Sequence, residues 1–160
     1  MEKSEKTNVM RIFDQKKLAY TPHFYTESGE VSGLEIAKVL NENPQQVFKT
    51  LVTVGKSKKN YVFMVPVCEE LDLKKASKAA GEKSIEMIKS KELLPLTGYI
   101  HGGCSPIGMK KLFPTFIHES VLELNNFYFS GGKIGCQVET TFENLKKLIP
   151  IKTANIITEK

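Results

Sequence analysis

Apolar positions along this chain change their spacing several times, and each spacing predicts an element. Val9, Met10, Ile12, Phe13 and Leu18 fall among charges over residues 5–18, the pattern of a helix that buries one stripe. The following "YTPHFYTES" keeps no helical period and predicts a short strand, then a loop. Ser32 and Glu35 form an S-x-x-E capping box ahead of Leu34, Ile36, Ala37, Val39 and Leu40, so a second helix with those five on its buried face should end before Pro44.

Two β-rich runs, 47–54 and 61–67, flank a Gly-Lys-Ser-Lys-Lys-Asn turn and read as a hairpin. Asp72 caps a helix to about Ala80 that Gly81 stops, and Ser84 is expected to start another short one through Met87 and Ile88. From Thr97 the grammar becomes short strands split by glycine, expected at 98–101, 115–118, 126–130 and 135–139. Thr140 and Glu143 then make a second capping box for a final helix burying Phe142, Leu145, Leu148 and Ile149. Helices at both ends and in the middle of a mixed, mostly antiparallel sheet give an α+β class, with the sheet expected to curl, barrel-like, to protect its edges.

Composition adds limits. The 160 residues are 41% hydrophobic and show no repeat, low-complexity tract or linker, so residues 1–160 are expected to form a single domain. No apolar run reaches membrane-spanning length and the first thirty residues are too polar for a signal peptide, which predicts a soluble, cytoplasmic protein without a membrane partner. Cys68, Cys104 and Cys136 are odd in number and widely spaced, as expected of reduced thiols. The net charge of +5 favours an anionic partner, but the lysines are scattered in small groups; on charge alone, ordinary solubility explains them slightly better than a folded RNA.

The densest candidate chemistry lies in "TGYIHGGCSPIGMKK", residues 97–111. Gly103 and Gly108 have Walker spacing, but Met109 stands where the phosphate-binding lysine belongs. His101 and Cys104 lack a second half-site, so no metal is expected, and a lone cysteine more often packs than reacts. Lys49 interrupts the first β run between Phe48 and Thr50. It most simply meets solvent; pointed instead into the mouth of a curled sheet, it would hold a phosphate or polarise an ester carbonyl. Two glycine pairs, Gly102-Gly103 and Gly131-Gly132, each follow an aromatic-aliphatic run, and mark either tight turns or backbone that closely approaches a ligand and offers N–H donors.

Together, "FKTLV" at 48–52, "LDLKKASKAAG" at 71–81, "TGYIHGGCSPIGMKK" and "SGGKIG" at 130–135 resemble, in order and spacing, the bacterial YbaK/EbsC family of Cys-tRNA(Pro) deacylases over about residues 9–148. The resemblance implies a barrel-like fold with flanking helices and an enzyme that removes cysteine wrongly loaded on tRNA(Pro), with Cys-tRNA(Cys) as a further candidate substrate. Such a second site is needed because cysteine and proline are close in volume, so one pocket discriminates by only about 1–3 kcal/mol. By position, the family's essential lysine falls on Lys49 and its other functional positions on Gly102, Ser130 and Gly132. Tyr25, Thr50, Gly103, Gly131, Lys110 and Lys111 are the implied substrate contacts. No role falls on His101 or Cys104. In the family mechanism the substrate's own thiolate attacks its ester and leaves as a thiolactone, with backbone N–H groups near Gly102 and Gly132 facing the oxyanion. The implied partners are aminoacylated tRNA(Pro) and, transiently, prolyl-tRNA synthetase, with no DNA and no cofactor. Ile134 departs from the family's usual basic residue, which affects one RNA contact. Removal of alanine from tRNA(Pro) by an activated water, and a non-catalytic RNA- or synthetase-binding module, are the competing readings.

Overall fold

The computed structural model describes residues 6–25 and 32–159. The first helix, α1 (Asn8–Gln15), starts where the Thr7 hydroxyl accepts the Met10 N–H, and buries Val9, Met10 and Phe13. Strand β1 (Thr21–Phe24) follows; the loop expected after it lies outside the described residues from residue 26. Helix α2 (Gly33–Val39) carries both halves of the Ser32/Glu35 capping box. Its buried face is narrower than the apolar pattern predicted: Ala37 is buried, whereas Leu34 and Val39 are exposed. A helix of seven residues buries only Ala37, which packs with Val47 and Val67.

The hairpin forms as β2 (Phe48–Gly55) and β3 (Asn60–Pro66), with Lys49 opposite Val65. Helix α3 (Leu73–Ala80) is capped by Asp72 and closed by Gly81 at φ 74°. The helix expected from Ser84 is absent. Ile85–Met87 instead form β4, because pairing with the free edge of β2 satisfies their backbone, and α4 (Ser90–Thr97) starts later, with Glu92 accepting the Lys89 N–H. No strand forms at 98–101 either. Gly98, at φ 88°, ends α4, and β2 and β3, against which Tyr99 packs, already have partners on both edges.

Strands β5 (Thr115–His118), β6 (Phe127–Ser130) and β7 (Cys136–Thr140) agree with the pattern within a residue. Helix α5 (Phe142–Leu148) is capped one residue later than expected. Thr141 accepts the Asn144 N–H, while Thr140 stays in β7 and donates to the Ala19 carbonyl, so the Thr140/Glu143 box does not form. An unforeseen strand, β8 (Ile151–Ala154), then pairs in parallel with β5.

The sheet is mixed, as expected, but it does not close into a barrel. Two sheets form, β1-β7-β6 and β4-β2-β3-β5-β8, joined by a single parallel bridge between Val47 and Tyr128. The main core lies where they face each other: Phe48, Met64 and Ile117 meet Phe127, Phe129 and Val138, with α1 and α5 closing the ends. On the far side of the larger sheet, Phe63, Val65 and Phe116 pack with Ala76 of α3. Burial on both faces explains why β3 reads as a continuous apolar run rather than an alternating one.

Candidate active site

In an antiparallel pair, directly opposed residues share a face. The registers of β1, β7 and β6 therefore put Phe127, Phe129, Cys136 and Val138 on the core side, and His23, Tyr128, Ser130, Gln137 and Glu139 on the other. The Val47–Tyr128 bridge extends that second face onto β2. Two residues further along both strands, Lys49 and Ser130 fall on the same side of the joined sheets. Lys49 is half-buried there. Tyr25 keeps the alternation of β1 by donating its N–H to the Gly135 carbonyl, which aligns it with His23.

The glycine loops adjoin this face. Ser130 Oγ accepts the Gly132 N–H at 3.1 Å, and the Gly131 N–H donates to the Cys136 carbonyl at 3.0 Å. A Cβ on Gly131 would lie 2.5 Å from Cys136 Sγ, so no side chain fits. Gly103 donates to the Ile100 carbonyl, and a Cβ on it would stand 3.0 Å from the backbone of Lys133 and Ile134. The two glycine loops are thus packed backbone against backbone. Three of the four glycine N–H groups are committed within the loops; only that of Gly102, at φ 89°, makes no hydrogen bond among the described residues.

Of the remaining expected contacts, Thr50 leaves this face. Thr50 alternates to the core side of β2, where its Oγ1 is buried without a partner. Lys110 and Lys111 are both exposed; Lys110 reaches the Pro95 carbonyl, and Lys111 lines a small cavity with Ile12, Leu148 and Ile149. His101 is exposed. Cys104 is buried, and burial pushes its thiol up to about 12.

The face also holds a polar group the sequence pattern did not single out. His23 Nε2 and Glu139 Oε1 are 2.8 Å apart, and Asn126 donates to the other Glu139 oxygen at 2.9 Å. The Tyr128 ring lies 5.6 Å from that of His23, and burial with the nearby Glu139 and Glu42 carboxylates raises its phenol. Burial also raises the Glu42 carboxyl; the Gln137 amide, near it but outside good hydrogen-bond geometry, only partly offsets that effect. Polar residues two apart, His23/Tyr25, Tyr128/Ser130 and Gln137/Glu139, were the available signal.

A family model described as an aminoacyl-tRNA editing domain matches residues 12–148. This chain belongs to the aminoacyl-tRNA editing domain family. The protein of Enterococcus faecalis named "Putative Cys-tRNA(Pro)/Cys-tRNA(Cys) deacylase EbsC" is 41% identical over 157 residues, which cover 98% of this chain and 96% of that protein. A solved structure described as "a putative trans-editing enzyme for prolyl tRNA synthetase" superposes with a TM-score of 0.82 at 22% identity, over 97% of this chain and 100% of that one. Another, described as a hypothetical protein, gives 0.85 at 19% identity over 94% and 99%. At these identities the two structures speak for the fold. The editing domain has the chemistry of an aminoacyl-tRNA deacylase, and no helix among its described residues is long and apolar enough to cross a membrane.

Proposed function

We propose that this editing domain acts in trans on cysteine mischarged on tRNA(Pro), with the substrate's own thiol as nucleophile. The observation that carries the reading is a contrast. Lys49 shares a face with Ser130 and Tyr25 beside the glycine loops, whereas burial holds the thiols of Cys104 and Cys136 at about 12 and about 11, which keeps them protonated at neutral pH. The site offers cations and hydroxyls but no activated protein nucleophile.

In the proposed step, the cysteinyl thiol gives up its proton and its sulfur bonds to the ester carbonyl carbon. The bond to the terminal ribose oxygen then breaks, that oxygen takes a proton, and a thiolactone leaves. Orientation of an intramolecular attack contributes on the order of 7–11 kcal/mol. Lys49 holds the 3′-terminal phosphate or the ester oxygen, Ser130 and Tyr25 orient the ribose, and the uncommitted Gly102 N–H faces the developing oxyanion. Gly132, with its N–H given to Ser130, shapes the turn that aims Ser130. Prolyl-tRNA synthetase supplies the selection of tRNA(Pro) in a transient complex.

The test is a deacylation panel over mischarged tRNAs with prolyl-tRNA synthetase present. Lys49→Ala should abolish release from Cys-tRNA(Pro) while the circular dichroism spectrum is kept. Ser-tRNA(Pro), which lacks the thiol, should survive. Equal hydrolysis of the cysteinyl and seryl esters would point to an activated water, and a wild-type protein that leaves both Cys-tRNA(Pro) and Ala-tRNA(Pro) intact would sink the enzyme reading.

A further inference from the structure

Glu42 follows α2 and lies against the polar face of the smaller sheet. Both of its carboxylate oxygens are closed to solvent, and neither has a hydrogen-bond partner of good geometry among the described residues. Gln137, only 4% exposed on that same face, has its carbonyl Oε1 in the same state. Three acceptor oxygens therefore stand buried without a well-formed hydrogen bond among the described residues, the Gln137 amide beside Glu42 being outside good geometry. Such groups are rare in folded proteins because each gives up its bonds to water without replacement.

Their position makes them informative. Gln137 lies directly opposite Ser130 on one side and His23 on the other, so its side chain bridges the Lys49/Ser130 region and the His23/Glu139 pair. Directly opposed residues are about 5 Å apart, which is the scale of an aminoacyl group. The His23 imidazole is already engaged by Glu139, and no three His, Cys, Asp or Glu side chains among the described residues are grouped to hold a metal ion. The missing complement is a small donor with several N–H groups and a positive charge.

We propose that Glu42 and Gln137 bind the α-ammonium group of the aminoacyl ester. Its three N–H donors match the three unpartnered oxygens in number, and the charge matches the carboxylate. This rests on the deacylase reading above and deepens it. The site recognises an unblocked amino acid by its ammonium, independently of the side chain that reacts. Glu42 and Gln137 are then specificity residues that anchor one end of the aminoacyl group while Lys49 and Ser130 engage the ester.

The experiment compares cysteinyl-tRNA(Pro) with 3-mercaptopropionyl-tRNA(Pro), which keeps the thiol and ester but lacks the amino group. For the wild type, kcat/KM should favour the cysteinyl ester by about 10–100-fold, the range expected of hydrogen bonds to a charged group. Glu42→Gln should lower the rate on the cysteinyl ester and bring that ratio within about two-fold of unity. A wild-type enzyme that cleaves the two esters equally, or a Glu42→Gln variant that keeps the full preference, overturns the proposal and leaves the deacylase reading standing. If the wild type cleaves neither ester, both fall. A purely structural role for Glu42 would lower both rates together and leave the ratio unchanged, which also counts against it.

Discussion

The substitution Gly103→Ala tests whether the two glycine loops act as one unit. A methyl group at that position would stand 3.0 Å from Ile134 N and from Lys133 Cα, and 3.1 Å from the Lys133 carbonyl carbon. Optimal carbon contacts lie at about 3.5–4.0 Å, so the loops must part by roughly half an ångström. Because the obstruction is backbone, no side chain can swing aside. Overpacking of this kind costs about 1–3 kcal/mol, or about 2–12 °C in Tm for a domain of this size. Activity should fall further, since a misplacement approaching 1 Å costs up to about 100-fold.

Gly81→Ala is the matched control. Its φ of 74° makes alanine unfavourable, but nothing lies within 4 Å of the new methyl group. It should lose about 1–2 kcal/mol from backbone strain alone and keep its deacylation rate. Thermal unfolding followed by circular dichroism, together with single-turnover deacylation of Cys-tRNA(Pro), separates the two variants. Wild-type Tm and rate for Gly103→Ala would refute the close apposition. A loss of Tm equal to that of Gly81→Ala, with activity intact, would refute its importance to the site.

Two further expectations follow from the protonation states. In the folded protein the thiols of Cys104 and Cys136 should react with a neutral-pH thiol reagent far more slowly than in denaturant, because burial disfavours their thiolates; equal rates in the two conditions would contradict this. Burial raises the Glu42 carboxyl above its usual value, so between those two values the folded state holds more protons than the unfolded state and stability falls as pH rises. Glu42→Gln has no such proton to lose. It should therefore be more stable than the wild type above that window and no more stable below it, and a Tm difference that stays constant with pH would argue against the assignment.

Local signals were accurate where the chain decides its own conformation. Asp72 and Gly81 bracket α3, Ser32 and Glu35 cap α2, and the turn at residues 55–60 makes the β2-β3 hairpin. They failed where a distant strand decides. Ile85–Met87 became strand because the edge of β2 was free, and Ile151–Ala154 because β5 offered an edge in parallel, a pairing with no local mark. Thr140 and Thr141 were equally good caps by type; Ala19, more than 100 residues earlier, decided between them by accepting the Thr140 hydroxyl.

The same division holds at the site. By itself the sequence named the candidate residue types: Lys49 in a β run, the two glycine pairs, a serine before one of them, and a lone cysteine expected to pack rather than react. Glycine pairs and strand alternation are properties of the local chain, so they can be read along it. Only the tertiary structure decided what stands beside what. A single bridge, Val47 to Tyr128, sets the Lys49 face against the Ser130 face, and the packing of Gly103 on Lys133 and Ile134 joins the two loops. It also turned Thr50 away from that face and buried the Glu42 carboxylate oxygens and Gln137 beside it. Burial and registry depend on partners far away in the chain, and it is those partners that turn a carboxylate followed by ordinary loop residues into an acceptor waiting for a cation.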